Sequence, residues 1–237
     1  MKRAQKKEKR TVIYLKVTPE KNEIIYSGID FSEFIESLVY PIENILVISS
    51  GCVSISHESR SERSYELFEG YDLVKSLGSK NLYNYGNFCF VDFASSCKIS
   101  EISDEQDAEL LFLGSRFRPL NTPFFENLQN RFAYLAHDDG FFCKLYCRDS
   151  NDFSSVLYKK ISSAVKDPVS ISSKNFVNRI LQLAAEGIVV DLNEIIRKDG
   201  YNEITIYTIG EHLDIDKVHN NLREIKKNAL QTNTIMI

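Results

Sequence analysis

The residue types best suited to chemistry gather in one stretch, RFRPLNTPFFENLQNRFAYLAHDDG, where Arg116, Arg118, Asn121, Asn127 and Arg131 precede His137, Asp138 and Asp139. A histidine beside a carboxylate has the minimum of an acid/base pair, because the carboxylate fixes the imidazole tautomer and raises its proton affinity. Read that way, His137 is the base or acid of a small hydrolase. Asp138 or Asp139 orients it, and Arg118 or Arg131 holds an anionic substrate. The same aspartates also suit a hairpin turn, where their side chains bond nearby backbone.

A different use of the stretch needs no catalysis. Arg116 and Arg118 alternate with Phe117 and lead into Leu120, Phe124 and Phe125. Planar cationic forks beside large apolar side chains are the common anchors of protein interfaces. Arg116, Arg118, Phe124, Phe125 and Arg131 are therefore the candidate binding residues.

Other polar groups are weaker. His57, Glu58 and Glu62 lack a further ligand at metal spacing, and His212 and His219, near Glu211, Asp214 and Asp216, form no HExxH pair. The five cysteines contain no CxxC pair and are odd in number. Cys89, Cys143 and Cys147 read as small buried hydrophobes of a reducing compartment, Cys52 follows Gly51, and Cys97 stands in a Ser-rich loop. Phosphate-loop, dinucleotide and nucleophile-elbow motifs are absent, so no cofactor and no metal are expected.

Charge narrows the partners. Residues 1–10 hold six basic groups and one acid, so the overall charge of −4 leaves −9 on the remainder. That acidic body is a poor nucleic-acid binder, since phosphate affinity comes from clustered positive charge. The basic tail reads as a flexible, solubilising start. No apolar segment follows it as a secretion signal would require, and no 18-residue apolar window exists. A cytoplasmic protein without membrane contact is expected.

The elements that must position these residues follow from periodicity. Residues 11–17 and 23–28 form an opening hairpin around Pro19 to Asn22, and Asp30 caps a helix over 31–39 that Pro41 stops. An extended run over 44–55 bends at 49–51, the Ser- and charge-rich 57–66 is an exposed loop, and 71–77 is a short helix ended by Gly78. A strand over 88–93 lacks alternation, which means burial on both faces or a misjudged period. Ser103 and Gln106 make a capping box for the next helix. The clearest hairpin spans 132–147 with Asp139-Gly140 in its turn. Helices follow over 153–165 and 176–185. Residues 188–192 form a strand, or DLNEIIRK forms a short helix. A strand over 202–209 precedes a last helix capped by Asp216 with Val218, Leu222 and Ile225 inward. The terminal TNTIMI is a candidate edge strand.

The order gives an α+β fold, a mixed or mainly antiparallel sheet flanked by helices. Residues 1–10 are the tail, 11–168 the main domain and 174–237 a small αβα subdomain or part of a single domain. The function expected is that of a non-catalytic recognition, accessory or inhibitor protein acting on a protein partner through the Arg- and Phe-rich loop. The alternatives are the His137/Asp hydrolase and self-association through the terminal edge.

Overall fold

The structure is a computed structural model that describes residues 11–49, 65–79, 88–94, 102–114, 123–136, 142–165, 175–210, 218 and 221–237. These residues build one eleven-stranded sheet against six helices. The strands are β1 (Val12–Thr18), β2 (Glu23–Ser27), β3 (Asn44–Ser49), β4 (Tyr65–Glu69), β5 (Phe88–Phe93), β6 (Phe132–Ala136), β7 (Cys143–Cys147), β8 (Ile188–Asp191), β9 (Ile196–Lys198), β10 (Tyr201–Thr208) and β11 (Gln231–Met236). The helices are α1 (Phe31–Ser37), α2 (Tyr71–Ser79), α3 (Asp104–Gly114), α4 (Ser150–Ser162), α5 (Asn175–Leu183) and α6 (Leu222–Lys227).

The sheet runs β11-β10-β8-β1-β2-β7-β6-β5-β3-β4, with β9 also paired to β10. Each of these pairings is antiparallel. The stretch from Asn175 onward adds β8 to β11 to the same sheet through the β1–β8 ladder.

Alternation along the strands sorts side chains to two faces. One face carries the large cluster, in which Ile13, Leu15, Ile24, Tyr26, Tyr134, Leu145, Val190 and Ile206 meet the apolar sides of α1, α2, α4 and α5. Its aromatic centre is close-packed, with Phe90 stacked on Tyr134 at 4.9 Å and Phe31 edge-on to Phe90 at 5.5 Å. On the opposite face, Leu46, Ile48, Cys89, Val91 and Leu135 meet Leu110, Phe125 and Leu128, while Tyr14 and Val189 pack with Val218 and Ile225. Strand β5 is buried on both sides because Phe90 faces one cluster and Cys89 and Val91 the other.

Local chemistry explains most boundaries. Ser103 Oγ accepts from Gln106 N at 3.2 Å, and Gln106 Oε1 accepts from Ser103 N at 3.0 Å, which closes the capping box of α3. Ser103→Ala is expected to cost about 1 kcal/mol, read as a small drop in denaturation midpoint, whereas Ser103→Asp should stay within a few tenths of wild type. Glu33 ties α1 twice, accepting from Asp30 N at 2.9 Å and from Lys160 Nζ of α4 at 2.7 Å. Lys160 has only 3 % of its side chain exposed, so this ion pair fixes how the two helices dock.

Several expectations need correction. Helix α1 stops at Ser37, since Leu38 is already extended at ψ 141° ahead of Pro41. The exposed-loop assignment fails at Tyr65 and Glu66, which enter β4 opposite Ile48 and Val47. DLNEIIRK is not a helix. Asp191 Oδ1 accepts from Asn193 N at 2.9 Å, which bends the chain through a single 3-10 turn between β8 and β9. The helix expected through Val218, Leu222 and Ile225 is broken before Leu222, because Asn221 sits outside helical geometry at φ −130°, ψ 35°, and its Asp216 cap lies outside the described residues. Val218, Leu222 and Ile225 nonetheless share one apolar cluster. No described helix is long and apolar enough to cross a membrane.

Candidate functional site

The Arg- and Phe-rich segment enters the described structure at Pro123, and its downstream end is tightly mounted. Phe125 is buried beside Leu128 and Ala133, and Phe124 is half-buried on the same cluster. Asn130, fully buried, organises the turn. Its Oδ1 accepts from Phe125 N at 2.7 Å, and its Nδ2 donates to the carbonyls of Pro123 and Phe132, each at 3.0 Å. Gln129 adopts φ 51° to make that reversal. Arg148, at the end of β7, lies over the Phe124 ring at 4.8 Å and donates from Nε to the Asn130 carbonyl at 3.1 Å.

Beside this mount Arg131 joins four parts of the chain. Its backbone N–H and that of Phe132 donate to Asp92 Oδ1 at 2.9 and 2.7 Å, and its Nε donates to Asp92 Oδ2 at 3.4 Å. Its Nη2 donates to the carbonyls of Tyr40 and Pro41 at 3.1 and 3.2 Å, and Nη1 lies 3.9 Å from Asp152 Oδ2 on α4. Arg131 Nε and Nη2 thus tie β5 to the loop after α1, and Nη1 adds an ion pair to α4. Burial pushes the Asp92 carboxyl up to about 6, against the two backbone N–H groups and Arg131, which favour its ionised form. Burial also raises Asp152, with Arg131 opposing.

Cysteine chemistry is muted here. Cys89, Cys143 and Cys147 are buried. Burial pushes the Cys147 thiol up to about 12, and it donates to the Asp149 carbonyl at 2.8 Å. The Tyr134 hydroxyl lies 3.0 Å from Cys143 Sγ, and burial raises the pKa of Tyr134 well above the ordinary tyrosine value. Neither group is poised as a nucleophile at neutral pH.

Of the residues singled out from sequence, Phe124, Phe125, Asn127 and Arg131 are brought to this mount, and Asn127 Nδ2 donates to Gln106 Oε1 of α3 at 3.0 Å. Arg116, Arg118, Asn121, His137, Asp138 and Asp139 lie outside the described residues, as do His57, Glu58, Glu62, Glu211, His212, Asp214, Asp216, His219, Cys52 and Cys97. Among the described residues no group of three or more His, Cys, Asp or Glu side chains is placed to hold a metal. The residues missed from sequence are Asp92, Asn130 and Arg148. Asp92 had a visible signal, a lone carboxylate inside the apolar run FCFVDF that burial obliges to find donors.

No protein-family model matches the chain, and neither a curated protein nor a solved structure matches it.

Proposed function

We propose that this protein is a non-catalytic recognition or accessory protein that engages a protein partner through residues 116–125, with Arg116 and Arg118 as cationic anchors and Phe124 as their apolar neighbour. The observation that carries this reading is the mount. Asn130 satisfies both ends of a tight reversal, and Arg148 pins the half-buried Phe124 ring, so one end of the segment is ordered before any partner arrives. Ordering in advance lowers the conformational cost of association and is how rigid scaffolds present recognition loops. The reactive types nearby are committed elsewhere, Arg131 and Asp92 to each other and Cys147 to a backbone carbonyl. The acidic body favours a basic partner and steers its approach.

The test compares tagged wild type with Arg116→Glu/Arg118→Glu, purified in parallel from extracts of the source cells and quantified by mass spectrometry. A protein retained by wild type and depleted at least about tenfold from the variant, at unchanged melting temperature, is the expected result, equivalent to losing more than about 1.4 kcal/mol. Identical sets of co-purifying proteins would sink the proposal.

A further inference from the structure

The two outer edges of the sheet are built differently. At one, β4 reads YELFE and exposes Glu66 and Glu69, charges of the kind that keep an edge from pairing with another strand. At the other, β11 reads QTNTIM, with no charge and no proline, and among the described residues no strand pairs with its outer side.

The ladder with β10 sets which backbone groups face outward. Asn202 and Ile237 exchange both hydrogen bonds, at 3.1 and 2.8 Å, so the bonded pairs continue through Ile204–Ile235 and Ile206–Asn233. The N–H and C=O groups of Thr232, Thr234 and Met236 therefore point away from β10. Their side chains share a face with Glu203 of β10, and on that face Met236 is 68 % and Ile196 is 52 % exposed, one on each side of Glu203.

We propose that a second copy of this chain occupies this edge, β11 pairing antiparallel with the partner's β11 about a two-fold axis at Thr234. In that register Thr234 faces the partner's Thr234, and Thr232 and Met236 face the partner's Met236 and the partner's Thr232. All three outward N–H/C=O sets are satisfied in both copies at once. Charge selects this occupant, because two neutral strands meet without like-charge repulsion although each chain is net negative, and the β4 edge would set glutamates against glutamates. A ribbon of this length buries on the order of a few hundred Å², short of the roughly 1,200 Å² of stable interfaces, so the dimer is weak and concentration-dependent.

The test is sedimentation velocity on the full chain from about 1 to about 300 µM, a span that covers weak protein association. The mass should climb toward twice that of the monomer in wild type and stay monomeric in Thr234→Pro and in Thr234→Lys. Proline at this position removes only an outward donor, and lysine guards against a proline variant that does not fold. A register check uses Cys52→Ser/Cys97→Ser chains. Thr234→Cys should form an intermolecular disulfide under mild oxidation, and Thr232→Cys, displaced from its own copy, should yield at least about tenfold less, since the bond tolerates Cα separations only up to about 7 Å. Wild type monomeric across the series would overturn the proposal, as would dimers that persist in both edge variants. Equal disulfide yields at 232 and 234 would overturn the register and with it the proposal. A dimer lost only when Arg116 and Arg118 are reversed would place self-association on the other surface instead.

Discussion

Asp92→Ala is expected to lower stability by about 3–5 kcal/mol, among the largest effects of any single truncation that leaves the aromatic core untouched. The carboxylate is the acceptor for two backbone N–H groups, of Arg131 and Phe132, at a buried strand start, and it faces the Arg131 guanidinium. Alanine leaves those donors without a partner and the guanidinium without its charge, and each orphaned buried donor costs about 1–3 kcal/mol. Asp92→Asn is the informative companion. Its amide oxygen still accepts from both N–H groups, but its NH2 replaces the oxygen that accepts from Arg131 Nε, so it should cost about 1–2 kcal/mol. Urea titrations with unchanged slope would measure both. An alanine variant within about 1 kcal/mol of wild type would show that water or rearranged backbone replaces the carboxylate, and would remove Asp92 from the account of the mount.

The same residue sets a pH dependence whose sign follows from linkage. Its native value of about 6 lies above the ordinary 3.8, so the folded protein binds this proton more tightly than the unfolded chain. The stabilisation is fully present below about pH 4, is lost as pH rises toward about 6, and is constant above that, with a span of about 3 kcal/mol. Burial raises Asp152 as well, which acts in the same direction. Asp92→Asn should flatten the fall between pH 4 and 6 relative to wild type. Parallel curves for the two proteins would mean the proton is bound elsewhere.

The mount is the part of the molecule that local sequence disclosed least. Period-two alternation in NEITIYTI reports directly which side chains share a face, and that strand stands where alternation puts it, while FAYLA and CKLYC, buried along nearly their whole length, were legible from their apolar and aromatic runs. The α3 cap was legible for a related reason, since Ser103 and Gln106 satisfy each other within one turn of chain. Arg131 is the opposite case. Beside Phe124 and Phe125 it has the composition of a surface anchor, yet Asp92 lies 39 residues away and Tyr40 91 residues away, and only the strand order brings them to it. The β8–β9 bend was ambiguous because DLNEIIRK supports a helix as well as an Asx turn, and pairing with β10 decided between them. Asn130 gave no periodic signal at all. Its role depends on three backbone partners that the turn itself creates.

Gly28→Ala should be as damaging as Asp92→Ala, and for a reason that packing volume alone does not capture. Gly28 directly follows β2 at φ +84°, a conformation in which a Cβ crowds its own backbone, and that Cβ would stand 2.0 Å from the Val12 carbonyl oxygen and 3.1 Å from Ile13 Cα. Both obstacles are backbone of β1, an interior strand held on one side by β2 and on the other by β8, so no rotamer change relieves them. The strand must move or Gly28 must leave its conformation, at a cost of about 3 kcal/mol or more. Gly70 isolates the conformational part, since it has φ +100° and nothing within 4 Å of its would-be Cβ. Gly70→Ala should cost about 1–2 kcal/mol, the left-handed penalty alone. The two losses differ in reach as well. Tyr26 of β2 pairs with Cys143 of β7, so displacing the end of β2 disturbs β7 as well, whereas Gly70 lies beside the outermost strand. Hydrogen exchange should accordingly show Gly28→Ala loosening β1, β2 and β7 together and Gly70→Ala loosening only β4 and α2. Equal melting temperatures for the two variants would mean that β1 yields to the methyl group, and that the close approach of its backbone to Gly28 contributes nothing to the stability of the sheet.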